Sequence, residues 1–305
     1  MYYIHTLASI THQNSFQQEN VWDNLTVLDN SSVLIAPDYK LYISPVAIRR
    51  LSPVLRMAIA AAKECQQTTS NDFDSISVGT ALGCLLDTEK FLNTFHSSTS
   101  DTLSPTAFIQ STHNTIAGQI SLELKNHSYN MTHTQNSLSF EVALLDAMLC
   151  CLEGKSNVLL GAADEAIDFL KVLQPAIIKS DLQFTSGASF FVLSQEQSES
   201  SIGFKACECY FSADDVLSLV AEFVKKQGLS FEEIDQVFIS GKEYKNDFMG
   251  AIDYLDFSGL HYSASAFAAH LAHDWLKKHQ KSYALIINEQ IKGKLGLILM
   301  KRDEA

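Results

Sequence analysis

Two hydrophobic patterns alternate along the chain. The first is the short, almost unbroken apolar run. Such runs stand at Ile76–Leu86, which carries Gly79-Thr80-Ala81-Leu82-Gly83, and at Asn157–Gly161, Ala188–Leu193, Gln236–Ile239, Tyr283–Asn288 and Leu295–Met300. Near-continuous apolar character over four to eight residues predicts strands buried on both faces. In the first run the strand is predicted to end in a glycine turn. The second pattern is helical spacing. It appears over residues 44–65 (Ile48, Leu51, Leu55, Ala58) and predicts helices at Ser139–Glu153, Ala213–Gln227 and Ala264–Lys278. Asp214 and Asp215 sit near the start of the second of these, where acidic residues suit the helix dipole. The polar stretches 66–75 and 95–105 are predicted to be loops.

Strands alternating with helices predict an α/β fold with covering layers on both sides of a sheet. The pattern also repeats weakly. Each half has a strand near its start (76–79; 236–239), then a glycine turn, a long Ala-rich helix (139–153; 264–278) and closing strands. We divide the chain into halves at 1–195 and 196–305.

Composition narrows the function. The 305 residues carry a net charge of −13, which excludes the broad basic footprint of a nucleic-acid binder and argues against an anionic membrane surface. At 46% hydrophobic and 19% charged, the composition is globular. No apolar run reaches the roughly 18 residues of a membrane span. The start, Met1-Tyr2-Tyr3-Ile4-His5, lacks the basic and apolar segments of a signal peptide, so a cytoplasmic location is expected. Cys65, Cys84, Cys150, Cys151, Cys207 and Cys209 form no C-x-x-C pair, and no metal is expected. In a reducing compartment they read as small buried hydrophobes. His270 and His273 share a helical face, and with no third ligand type at useful spacing they read as a solvated face near a helix C-terminus.

Five segments in order carry a family resemblance. Leu103–Leu122 (LSPTAFIQSTHNTIAGQISL) resembles the S-P-x-x-x-x-x-S-x-x-N-x-x-A-G-x-I stretch of β-ketoacyl synthases. Val78–Glu89, Asn157–Glu165 (NVLLGAADE), Thr185–Leu193 (TSGASFFVL) and Lys292–Arg302 (KGKLGLILMKR) resemble successive strand and glycine-turn segments of the same family. The resemblance implies a thiolase-like fold, two duplicated halves stacked as five αβαβα layers, with shortened loops and an obligate dimer. It implies no cofactor. Ser111–Ile120 and Ser139–Ala147 further resemble members from aryl-polyene and flexirubin-type pigment clusters.

Ketosynthases use a cysteine thiolate at a helix N-terminus and two histidines that stabilise the enolate and the thioester oxygen. The resemblance places the cysteine at Gln135, Asn136 or Ser137, and none is a cysteine. The first histidine position is Ser240, followed by Gly241. The second is Leu260, with His261 one residue late. A hydroxyl cannot replace a thiolate unless a base activates it.

The chain therefore reads as a catalytically degenerate, chain-length-factor-like subunit. It would pair with an active ketosynthase and shape the acyl tunnel, meeting acyl carrier protein and its chain only indirectly. The resemblance points to Phe108, Thr112, His113 and Asn114 on an interface segment and to Phe140 and Glu141 at a helix start. Room for one more two-carbon unit is within the reach of one side-chain substitution there. In the plainer reading, His113 and Asn114 satisfy buried backbone groups and Glu141 meets the helix dipole. Two alternatives stand beside this reading. One is a thiolase-fold acyltransferase or hydrolase using Ser137 with His113, His133 or His261. The other is a homodimer of the isolated chain that binds an acyl chain without reacting.

Overall fold

The computed structural model describes residues 1–69, 71–97, 104–177 and 182–303. Its strands are β1 (Tyr2–Ile10), β2 (Ser75–Gly79), β3 (Tyr129–His133), β4 (Val158–Asp164), β5 (Gly187–Ser194), β6 (Ile202–Tyr210), β7 (Gln236–Ile239), β8 (Ile252–Asp253), β9 (Tyr283–Ile291) and β10 (Lys294–Arg302). Its helices are α1 (Pro45–Ile48), α2 (Pro53–Thr69), α3 (Leu85–Ser97), α4 (Pro105–Gln110), α5 (Thr115–Leu124), α6 (Ser139–Leu152), α7 (Asp168–Ile177), α8 (Val216–Lys226), α9 (Leu255–Ser258) and α10 (Ala264–His279).

The strands lie in the order β3-β2-β4-β5-β1-β6-β10-β9-β7-β8. Read outward from the β1–β6 seam, the two sides have the same plan. In each, one strand pairs antiparallel with the last strand of its side, which pairs antiparallel with the fourth. The fourth pairs parallel with the second, and the second with the third at the edge. The seam is short: Tyr2 faces Phe204 and Tyr3 faces Gly203.

The apolar runs explain the layering. In β4, Val158, Leu160 and Ala162 face one core while Leu159 and Ala163 face another. In β9, Ala284 and Ile286 join the first of these cores, and Leu285 and Ile287 join a third. Each run is thus buried on both faces, as its composition requires. Helices α6 and α10 pack against strands of both sides and fill the middle layer with Phe140, Leu144, Phe267 and Leu271. Helix α2, with α5 beside it, covers the outer face of the first side, and α8 covers that of the second. The result is the α/β, thiolase-like layering.

Three sequence expectations are corrected. The polar stretch 66–75 is not wholly loop, because Gln66–Thr69 extend α2 and Ser75 begins β2. Residues 95–97 likewise close α3 and Pro105 opens α4, while 98–103 lie outside the described residues. His270 and His273 are not solvated: they are 1% and 8% exposed. Helix α10 is enclosed by strands from both sides, so its polar face is buried too. His270 Nδ1 lies 2.8 Å from Ser9 Oγ, and His273 Nδ1 lies 2.9 Å from Asp274 Oδ1. Among the described residues no helix is long and apolar enough to cross a membrane.

Candidate functional site

The carboxyl ends of β2, β3, β4, β7 and β9 and the start of α6 meet at one end of the fold, where open α/β sheets place ligands. Between β3 and α6 the chain turns sharply. Asn136 takes φ +52°, a left-handed conformation that asparagine tolerates better than most residues. Ser139 secures the turn: its Oγ accepts from Gln135 N at 2.9 Å and lies 2.7 Å from Asn136 O and 3.0 Å from Thr80 O. Gly79 permits this approach of helix to strand, since a Cβ there would lie 2.4 Å from Ser139 O.

Gln135 and Asn136 are exposed, whereas Ser137 is fully buried and its hydroxyl has no partner among the described residues. The histidines weighed as its base have other neighbours. His133 Nε2 sits 3.1 Å from Asp146 Oδ2. His261 Nδ1 lies 3.0 Å from Thr185 Oγ1, which donates to Ser258 O. His113 packs against Gly83. Cys150 and Cys151 stand at the far end of α6, about 20 Å away at about 1.5 Å of rise per residue.

Strand β9 joins two of the degenerate positions. Asn288 Nδ2 donates to Ser137 O and to Glu141 Oε1, both at 2.7 Å, and Tyr254 donates its phenol to Asn288 Oδ1 at 3.1 Å. The next residue, Glu289, donates its N–H to Ser240 Oγ at 2.6 Å. Burial pushes the Glu141 carboxyl up to about 7, against the Asn288 hydrogen bond, which lowers it. Glu141 is therefore more than a first-turn dipole partner on a helix surface. Phe140 beside it stacks in the central core with Phe191 and Phe204, at ring distances of 5.9 and 6.4 Å. Both lie inside the protomer, apart from the surface of Phe108 (58% exposed), His113 and Asn114.

Leu260 is buried, and its main chain bonds Gln183 and Thr185. His261 lies with Nε2 against Gly187, where a Cβ would come within 2.7 Å. Burial first, and then the nearby His12, hold the His261 imidazole down to about 3, so it is neutral at neutral pH. His12 accepts from Ser186 N and lies 3.2 Å from Ser32 O.

Sequence reasoning assigned no role to Asp164 and Glu165, although both stood in the NVLLGAADE segment. Asp164 Oδ1 accepts from Thr80 Oγ1 and from the N–H groups of Ala81 and Leu82, at 2.9 to 3.0 Å, and so ties down the glycine turn. Burial raises its carboxyl, and these bonds work against that rise. Glu165 caps two helices, accepting from Leu86 N at 2.9 Å and from Val54 N at 3.2 Å. An acidic pair at the end of a buried strand was the available signal.

Residues 36–175 match the family model described as beta-ketoacyl synthase, N-terminal domain. No curated protein matches the chain. Several solved structures are similar over 99% of both chains. They include the ishigamide ketosynthase/chain length factor, at 13% identity and a TM-score of 0.81. A beta-ketoacyl synthase from Burkholderia phymatum STM815 gives the same identity and score, 13% and 0.81. A ketosynthase (ApeO) in complex with its chain length factor (ApeC) from Xenorhabdus doucetiae has 16% identity and a TM-score of 0.63. The chain thus has the thiolase-like fold of ketosynthases, and its residues 36–175 match the beta-ketoacyl synthase family.

Proposed function

We propose that this chain is a non-catalytic, chain-length-factor-like subunit that pairs with an active ketosynthase in the cytoplasm. There it contributes a wall of the acyl tunnel during polyketide synthesis of the aryl-polyene kind on acyl carrier protein. The observation that carries the reading is the state of the nucleophile position: Asn136 makes the turn, and the buried Ser137 hydroxyl has no hydrogen-bond partner, and so no base, among the described residues. Ser240 and Leu260 at the two histidine positions agree with it. Without an adjacent base a serine is not a nucleophile at neutral pH, which weighs against the acyltransferase alternative. Solved ketosynthases in complex with a chain length factor, or with a type II acyl-carrier protein, give the reading its context.

The pairing surface we favour is the β3 edge. Tyr129 and Met131 are exposed on it, Leu122, Leu149 and Leu152 are exposed on the adjoining α5 and α6, and Phe108 and Ile109 are exposed on α4. An unpaired edge flanked by exposed apolar side chains favours association. We also take 1–195 and 196–305 as two ketosynthase-like halves of one unit, a division that the repeated strand order supports.

The test is co-expression with a ketosynthase encoded beside this chain, a mass measurement by size exclusion, and a malonyl-carrier condensation assay. A one-to-one complex, active only while the partner keeps its own cysteine, is expected. Turnover of acyl thioester by this chain alone, abolished by Ser137→Ala, would overturn the reading.

A further inference from the structure

A second cleft opens at the opposite end of α10, roughly 20 Å along the helix from the candidate site at about 1.5 Å per residue. It forms where β1 leaves β6. Just past their short pairing, the register of β1 shifts between Ile4 and Thr6, so His5 is bulged. Bulges recur next to sites, where they re-aim a side chain. The cleft encloses about 340 Å³, with His5, Thr6, Glu199, Ser200, His273 and Lys277 among its lining. A cavity of about 260 Å³ adjoins it and shares Glu199, Ser200 and Lys277.

His273 is more than nine-tenths buried yet lines this cleft. Its Nδ1 lies 2.9 Å from Asp274 Oδ1. A carboxylate only accepts, so Nδ1 carries the proton and Nε2 is left as an acceptor. Asp274 is fixed in turn, because its Oδ2 accepts from Val21 N at 2.8 Å. Among the described residues Nε2 of His273 has no hydrogen-bond partner. Lys277 follows one turn later on α10 and is exposed. It forms no ion pair among the described residues, whereas its neighbour Lys278 is held by Asp23 at 2.8 Å. Burial, helped by the nearby His270 and Lys277 and opposed by Asp274, keeps the His273 imidazole below its usual range.

The cleft therefore offers an ammonium and two hydroxyls as donors, with an imidazole nitrogen and the Glu199 carboxylate as acceptors. Lys277, with no ion-pair partner among the described residues, is a local positive point on a protein of net charge −13. We propose that this cleft binds a small oxyanion that also carries an O–H donor, the chemistry shared by hydrogen phosphate and α-hydroxy acids. The oxyanion rests on Lys277 and the O–H donates to His273 Nε2. Glu199 repels a second negative charge and keeps the anionic end on the Lys277 side. The assignment is independent of the chain-length-factor reading.

The experiment titrates the full chain with inorganic phosphate, glycolate and acetate while following the His273 ring nitrogens by NMR. Phosphate and glycolate are expected to move the Nε2 resonance saturably, and acetate, which has no O–H donor, is not. Lys277→Ala, an exposed substitution that leaves the core alone, is expected to weaken binding about tenfold, the loss of one charge-assisted hydrogen bond. A saturable response to phosphate alone assigns the cleft to hydrogen phosphate, and one to glycolate alone to hydroxy acids. An Nε2 resonance unmoved by either anion, equal binding of acetate, or unchanged binding in Lys277→Ala overturns the proposal.

Discussion

Gly296 of β10 makes room for Glu141 of α6: a Cβ at position 296 would lie 2.8 Å from both Cγ and Oε1 of that side chain. The glycine thus admits a carboxyl into the central layer, where Asn288 donates to its Oε1 at 2.7 Å. Burial raises Glu141 from 4.5 to about 7. Between those values the folded chain keeps a proton that the unfolded chain releases, so stability falls as pH rises through this window. At about 1.4 kcal/mol per pH unit, the loss approaches about 3 kcal/mol by pH 7. Glu141→Gln keeps the Asn288 contact and removes the titration. Denaturant unfolding at pH 5 and pH 8 should show the variant gaining on the wild-type chain at the higher pH. Parallel pH profiles would refute this.

His261 acts in the opposite direction. Its folded value of about 3 lies below the ordinary 6.5, so the unfolded chain takes up a proton that the folded chain refuses. Stability present above pH 6.5 is lost as pH falls toward 3. By pH 5 the loss from this group is about 2 kcal/mol. His261→Gln retains a donor for Thr185 and should flatten the acid limb of the stability profile by that amount. An acid limb as steep as that of the wild-type chain would mean that His261 is not held neutral.

Gly83 and His113 are matched. Gly83 has φ +62°, and a Cβ on it would lie 2.9 Å from His113 Cγ and Cδ2. Gly83→Ala should cost about 1 kcal/mol for the left-handed backbone and about as much again for the contact. In a His113→Ala background only the backbone part should remain. A double-mutant cycle by chemical denaturation reads the difference, and full additivity would show that the two residues do not meet.

Ser137 tests the chemistry and the packing together. Its buried, unpartnered hydroxyl is a cost, so Ser137→Ala should hold or raise stability by about 1 kcal/mol. Thermal unfolding gives the sign. The same variant, paired with an active ketosynthase, should leave condensation unchanged, and a drop in both stability and condensation would point to a role for the hydroxyl that the present contacts do not contain.

The features visible in the sequence were those with a local cause. The runs around Leu159, Ile286 and Ile298 read as strands because each is apolar on both faces. Strand β3 was not read as one, because an edge strand with one paired neighbour can carry Asn130, Thr132 and His133. Strands β1 and β6 were missed for a related reason: each mixes buried with half-buried positions along its length, so neither a continuous run nor a clean alternation marks them. His270 and His273 looked solvated because helical spacing groups polar residues without saying what faces them.

The sequence by itself settled the doubly buried strands, the long helices α6, α8 and α10, and which side chains stand at Gln135, Asn136, Ser137, Ser240 and Leu260, since these depend on residues close together in the chain. It could not say that Asn288 would hold Ser137 from 151 residues away, that Gly296 would accommodate Glu141, or that Asp274 would orient His273 toward a cleft. Those outcomes depend on stacking two half-sheets about α6 and α10. That packing alone decides which polar atoms lose water and which partners they then find.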